Sequence, residues 1–376
     1  MTDTLVQLRR NIHQNPEISG EEIQTAALIL DFLKDIKYTK IETQVGGNGI
    51  LVLFDSGNEG KTLMFRAELD GLPIEEENNI PYLSKNTGKG HQCGHDGHAT
   101  MLAGLGVWIA ENMPKKGKIY LLFQPAEENG EGANAVMEDT KFKDIHIDEV
   151  YALHNLPGFP LGNIVVKDNT FTAAVNSIII HLKGKTSHAA EPENGINPTL
   201  AVAKILEGME SMQNNNPEMN NFRLVTPIYV SIGSKNYGIS AGDAEIHLTL
   251  RSWTNEGLEE LQSAIIQYVL SVSFQYHLKF EYSFLQHFYA NINKAICVEN
   301  VRNAANAAGL TIEEQTFPFK WGEDFGIFTT KFDGCMFGLG SGENQPALHN
   351  PNYDFPDSLI PKGIEIFSQI IKSQLA

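Results

Sequence analysis

Several things are scarce in this 376-residue chain. It has three cysteines, at 93, 297 and 335, too few for a disulfide framework, so we expect a reducing, cytoplasmic compartment. No apolar run approaches the roughly 20 residues that span a bilayer. The opening segment Met1–Arg10 lacks the apolar core of a signal peptide and has the pattern of a helix. Basic residues are also short, 28 Lys and Arg against 46 Asp and Glu. The resulting net charge of -18 argues against nucleic acid and against anionic membranes as partners. There is no internal repeat and no low-complexity tract. What remains is an ordinary globular composition, 42% apolar and 20% charged, long enough for two cores.

Against that background two short stretches stand out. One is His91-Gln-Cys-Gly-His95-Asp-Gly-His98, which puts four soft or borderline ligands within eight residues. The other is Gln124-Pro-Ala-Glu127-Glu128, paired carboxylates that follow the buried-strand pattern Lys118–Gln124. Thiolate and imidazole suit a divalent transition metal, and a carboxylate held nearby manages protons. A structural zinc clip is the plainer alternative for the first stretch. A cysteine protease dyad of Cys93 and His95 is disfavoured, because side chains two apart in sequence rarely form one. Ligands of open α/β sheets gather at strand ends, where Glu127 and Glu128 are expected.

The order of elements is informative. A capping box is expected at Ser19–Glu22, before helical spacing from Ile23 to Leu33. Strands at 50–54, 63–65, 119–123 and 150–153 alternate with helices at 97–113 and 133–137, which implies a mainly parallel sheet sandwiched by helices. From about 171 to 284 the pattern changes to strands at 177–183, 223–233, 244–253 and 279–284, with helices at 198–212 and 256–276. We expect this α+β unit to be inserted between 1–170 and 285–376, which together form a discontinuous catalytic domain of α/β class. In strand 244–253, Ile246, Leu248 and Leu250 alternate with His247, Thr249 and Arg251, so one face is apolar and the other carries functional groups. Arg251 offers a planar fork for a substrate carboxylate.

Ordered motifs over nearly the whole chain resemble the family of aminoacylases, hippurate hydrolases, auxin-conjugate amidohydrolases and N-acetyldiaminopimelate deacetylase. They are Leu8–His13 with Asn15-Pro-Glu17, Arg66–Ile74, Cys93–Asp96, Pro125–Glu128, Ala152–His154, Gly322–Phe325 and Leu348–Pro351. Cysteine in the metal motif, with Arg66 where other branches carry a ligand histidine, is similar to the amidohydrolase branch. That resemblance implies two divalent ions per subunit (Mn2+, Zn2+ or Co2+), bridged by Cys93 and held by His95, Glu128, His154 and His349. It implies Glu127 as general base, Glu68 and Asp70 as supports of the catalytic site, and His188 of an inserted lid and dimerisation domain as an oxyanion donor across a subunit boundary. A homodimer or higher homo-oligomer follows.

The function implied is metal-dependent hydrolysis of N-acyl amino acids, with acetyl- or benzoyl-type small molecules as substrates. A di- or carboxypeptidase using the same chemistry and a catalytically silent binding protein of the same fold stand as alternatives. Two positions depart from the family pattern. Glu68 stands where Asp is usual, and Gly238–Ala244 lacks the usual lid wording.

Overall fold

The computed structural model describes residues 2–376. The chain divides into two compact units. The larger ends its first segment at Phe171 and resumes over Asn291–Thr316 and Glu323–Ala376, while the smaller comprises Thr172–Ala290 and Phe317–Gly322. The insertion therefore closes at 290 rather than 284. Its last strand, Lys279–Phe288, runs four residues beyond the expected end, and Phe317–Gly322 also belongs to this unit.

In the larger unit an eight-stranded sheet has the order Lys40–Val45, Gly49–Asp55, Lys118–Gln124, Thr62–Glu68, Glu149–Pro157, Asp333–Gly342, Ile164–Val166, Ile312–Glu314. The four strands from Lys118–Gln124 to Asp333–Gly342 are mutually parallel. Antiparallel pairs flank them, so the all-parallel run is confined to the centre. Every residue of Thr62–Glu68 is buried, as expected for a central strand covered on both faces. Phe65, Phe337 and Phe367 meet with ring centroids 5.0 and 5.8 Å apart and seat the C-terminal helix Ile360–Leu375 on the sheet. Because the central strands run in one direction, Glu68, Gln124 and His154 emerge near one edge, where the functional side chains collect.

The smaller unit is a four-stranded antiparallel sheet in the order Arg223–Ile232, Asp243–Ser252, Ala174–Lys183, Lys279–Phe288. Helices Thr199–Met212 and Asn255–Gln275 bury its apolar face, with Ile178, Ile180, Ile246, Leu248 and Leu250 against Ile205 and Ile265. His247, Thr249 and Arg251 stand on the other face, as the alternation requires. Among the described residues no helix is long and apolar enough to cross a membrane.

Two local expectations are corrected. Helix Ile23–Leu33 has Glu22 as its N-cap, without any side-chain cap bond, so no capping box forms. The metal-motif helix starts at His95 rather than 97 and runs to Glu111. Its cap is Gly94, at φ +91°, and a Cβ there would lie 2.4 Å from Asn155 Oδ1. Only glycine satisfies both the left-handed turn and this close approach.

Candidate metal centre

The turn at Gly94 aims Cys93 and His95 into one buried space. His154, in the second half of strand Glu149–Pro157, donates Nδ1–H to the carbonyl of Asn155 at 2.9 Å, which leaves Nε2 3.6 Å from Cys93 Sγ. Across that space His95 donates Nδ1–H to the carbonyl of Asp70 at 2.9 Å. Its Nε2 is buried without a hydrogen-bond partner, 3.8 Å from Glu128 Oε1 and 4.0 Å from Glu127 Oε2. His349, half-exposed and held at φ +64°, places Nε2 3.7 Å from Glu128 Oε2.

The side chains capable of holding a metal therefore form overlapping groups. Cys93, His95 and His154 make one, Cys93, Glu128 and His349 a second, and in each the ligand atoms lie within 4.8 Å of one another. Cys93 belongs to both. The donor set fits divalent cations, with the Cys93 thiol available to both groups. His95 Nε2 and Glu128 Oε1 are buried and unpartnered, and each imidazole has its other nitrogen fixed by a carbonyl or lies at the mouth.

The electrostatics point the same way. Burial and the neighbouring Glu128 and Glu127 push the Cys93 thiol well above its usual range. Burial, with Asp70 close by, raises Glu128 to about 7 despite His95. Glu127 is also held well above the usual carboxylate range, by burial and by Glu323, Glu128 and Asp324. Burial pulls His95 down, but Asp70, Glu68 and Glu128 raise it to about 10. Crowded, desolvated acids of this kind are what a divalent cation neutralises.

The supporting residues explain the geometry. Asp70 Oδ2 accepts the Glu128 amide at 3.0 Å and the Ser19 hydroxyl at 2.7 Å. Arg66 is fully buried and donates to Gln124 and Glu323 at 2.8 Å each, to Asp324, and to Glu68. It is thus a fixed cation among acids. The second oxygen of Glu68 accepts His98 Nδ1–H at 2.7 Å. Glu68, His95 and His98 are close enough to form a further candidate group, yet both His98 nitrogens are engaged, because Nε2 accepts the Asn155 amide at 3.2 Å.

In the smaller unit His188 is exposed and pairs in antiparallel fashion with Ile239. Its Nδ1 accepts the Ala190 amide at 3.0 Å, so the neutral ring presents Nε2–H as a donor. The segment with unusual wording, Gly238–Ala244, holds His188 through backbone pairing, for which side-chain identity is secondary. Arg251 donates Nη1 to the carbonyl of Lys320 at 2.7 Å.

Comparison with known proteins bears on this centre. Residues 64–373 match the model of peptidase family M20/M25/M40. The chain belongs to that family. N-acetyldiaminopimelate deacetylase of Listeria monocytogenes is 28% identical over 382 residues, covering 100% of both chains. N-acetyl-L-cysteine deacetylase of Bacillus subtilis is 31% identical over 359 residues, covering 95% of this chain and 85% of that one. The crystal structure of a dinuclear metal binding peptidase of the M20 family from Bacillus subtilis superposes with a TM-score of 0.85 at 24% identity, covering 100% of this chain and 98% of that one. As an M20/M25/M40 member the chain is a metal-dependent hydrolase acting on carbon–nitrogen amide bonds.

Sequence reasoning did not find the part that several residues play in this M20 site. His98 lay in plain view within the metal motif, but nothing in its spacing separates a ligand from a support. Gln124 meets Arg66 from 58 residues away in the chain, and Glu323 and Asp324 from 257 and 258, proximities that no local pattern reveals. Glu22 was assigned to a helix cap, and its carboxylate instead accepts the Ala126 amide.

Proposed function

We propose that the enzyme removes the acyl group from N-acyl amino acids, with two divalent ions held by Cys93, His95, Glu128, His154 and His349 and with Glu127 as general base. The observation that carries this reading is the shared position of Cys93 in two ligand groups beside the buried Glu127. When bound, the ions supply Lewis acidity that acidifies water and polarises the scissile carbonyl. Glu127 takes a proton from the attacking water and returns it to the leaving amine nitrogen, so that carboxylic acid and free amine are the products. Its apolar and acidic surroundings favour the protonated carboxyl, which suits the second half of that transfer.

The named relatives act on acetyl derivatives of two different amino acids, whose common feature is a leaving amine with a free α-carboxylate. Arg251, on the polar face of the smaller sheet, is the group we assign to that carboxylate. His188 with its exposed Nε2–H is the donor we assign to the tetrahedral oxyanion, acting in a homodimer across the subunit boundary. The smaller unit then serves as lid and dimerisation domain. Thiolate and imidazole favour zinc, and carboxylate and imidazole also accept manganese or cobalt.

The test is turnover of a panel of N-acetyl and N-benzoyl amino acids against dipeptides, after loading with each metal in turn. Acyl amino acids are expected to be cleaved faster by at least about an order of magnitude. Faster dipeptide cleavage would assign the enzyme to the peptidases instead.

A further inference from the structure

Glu22 is fully buried at the start of helix Ile23–Leu33, yet its carboxylate does not cap that helix. Oε1 accepts the amide of Gly20 at 2.7 Å and the amide of Ala126 at 2.8 Å, and Oε2 accepts Asn48 Nδ2 at 3.1 Å. Ala126 is the residue before Glu127, and its φ is +52°. A residue with a Cβ resists this left-handed conformation and holds it only where its surroundings impose it.

The turn has a chemical consequence. In a continued strand, consecutive side chains would point to opposite faces. Here Glu127 and Glu128 both approach His95 Nε2, at 4.0 and 3.8 Å. The left-handed φ of Ala126 ends the strand conformation, and the turn that follows, closed by the Gly130 amide on the Glu127 carbonyl at 2.8 Å, replaces the alternation. Ala126 is gripped at both ends, since its carbonyl accepts the Gly132 amide at 2.9 Å. A Cβ on Gly132 would lie 1.7 Å from the carbonyl oxygen of Pro125, so only glycine lets the loop close this tightly on itself. Beyond Glu127, the next amide, that of Glu128, is held by Asp70, which Ser19 in turn supports. The segment Ser19–Glu22 thus reaches the amides of the residues on either side of Glu127, Ala126 directly and Glu128 through Asp70.

We propose that Glu22 is a positioning residue for the general base, holding Ala126 in the left-handed turn that aims Glu127 into the metal centre. The inference rests on the assignment of Glu127 as base. Glu22 touches neither ligand atoms nor substrate, and its effect passes through the backbone of Ala126.

The experiment compares the metal-loaded E22A, E22D, E22Q, E22A/A126G and E22D/A126G enzymes by kcat, KM and metal per chain, with E127Q alongside. E22A is expected to lose kcat by at least about tenfold, with KM within about threefold and metal content unchanged. E22Q keeps an oxygen that accepts both amides and retains most of kcat. Adding A126G restores most of the loss, because glycine takes the left-handed turn without being held. Should E22A fail to fold, E22D carries the test. It keeps the charge but falls short of Ala126, and the same loss and the same rescue by A126G are expected. An E22D or E22A enzyme with undiminished kcat, or double variants no better than the single ones, overturns the inference. Those results beside an inactive E127Q overturn it alone; an active E127Q overturns the base assignment and this inference together.

Discussion

Glu68 accepts a hydrogen bond from His98 at 2.7 Å, and through it steadies His154, a proposed metal ligand that it does not contact by a hydrogen bond. His98 receives the Asn155 amide on its other nitrogen, and the Asn155 carbonyl takes the proton of His154 Nδ1. The same glutamate pairs with Arg66 through its first oxygen. The longer side chain, where the family pattern has Asp, is accommodated by spanning Arg66 and His98. Both partners are donors, and an amide offers only one accepting oxygen. Glu68→Gln should therefore lose about 1.5–3 kcal/mol of stability, read from chemical denaturation. Unchanged stability would show that the span is not under load.

Glu127→Gln preserves shape and removes the proton acceptor. Metal per chain should stay at the level of the unmodified enzyme, while kcat falls by about two orders of magnitude or more. Full turnover would move the base elsewhere, with Glu128 the first alternative.

Cys93 is shared by two of the candidate metal-holding groups, with His95 and His154 and with Glu128 and His349. Cys93→Ala should strip most bound metal, measured by elemental analysis of the purified protein. Removing metal from the intact enzyme with a chelator should also lower its melting temperature, because binding to the folded state alone stabilises by about 2.7 kcal/mol at a hundredfold excess over Kd. A chelated protein that melts at the same temperature would contradict a buried, high-affinity centre.

Arg251 gives the substrate prediction. An N-acetyl amino acid should be cleaved much better than its amide or methyl ester. Arg251→Ala should erase that preference more than it slows the neutral analogue, by a margin of about 1.5–3 kcal/mol. Equal rates on acid and amide with the unmodified enzyme would remove the clamp.

His13 links stability to pH. Burial pulls its pKa down, but hydrogen bonds to Asp96 at 2.7 Å and Glu76 at 3.0 Å outweigh this and raise it from 6.5 to about 9. A folded-state pKa above the unfolded one means that the contribution is complete below pH 6.5 and is lost as pH rises through about 9. Unfolding free energy should thus fall across that window with a slope approaching 1.4 kcal/mol per pH unit, and His13→Gln should flatten it. A slope of the same size in the variant would assign the effect to another group.

How much of this was legible beforehand differs by kind of feature. The metal motif, the paired glutamates and the order of strands and helices are local. Cys93 and His95 lie two residues apart, and alternation in strand Asp243–Ser252 is a matter of spacing alone, so the chain itself carried them. Short strands such as Lys40–Val45 and Ile312–Glu314 went unread, since half-exposed edges carry little apolar signal. The support of the site was hidden altogether. Ser19-Gly-Glu-Glu22 has the wording of a capping box, and only the fold, by bringing the Ala126 amide within 2.8 Å, turned Glu22 onto the backbone ahead of Glu127. Arg66 likewise looks like any strand arginine until Gln124, Glu323 and Asp324 surround it. Sequence determined which chemistry the chain is equipped for, because ligand type and periodicity are properties of neighbours along the chain. Tertiary structure decided which side chains hold that equipment in place, because a buried polar group takes its partner from whatever the fold brings to it.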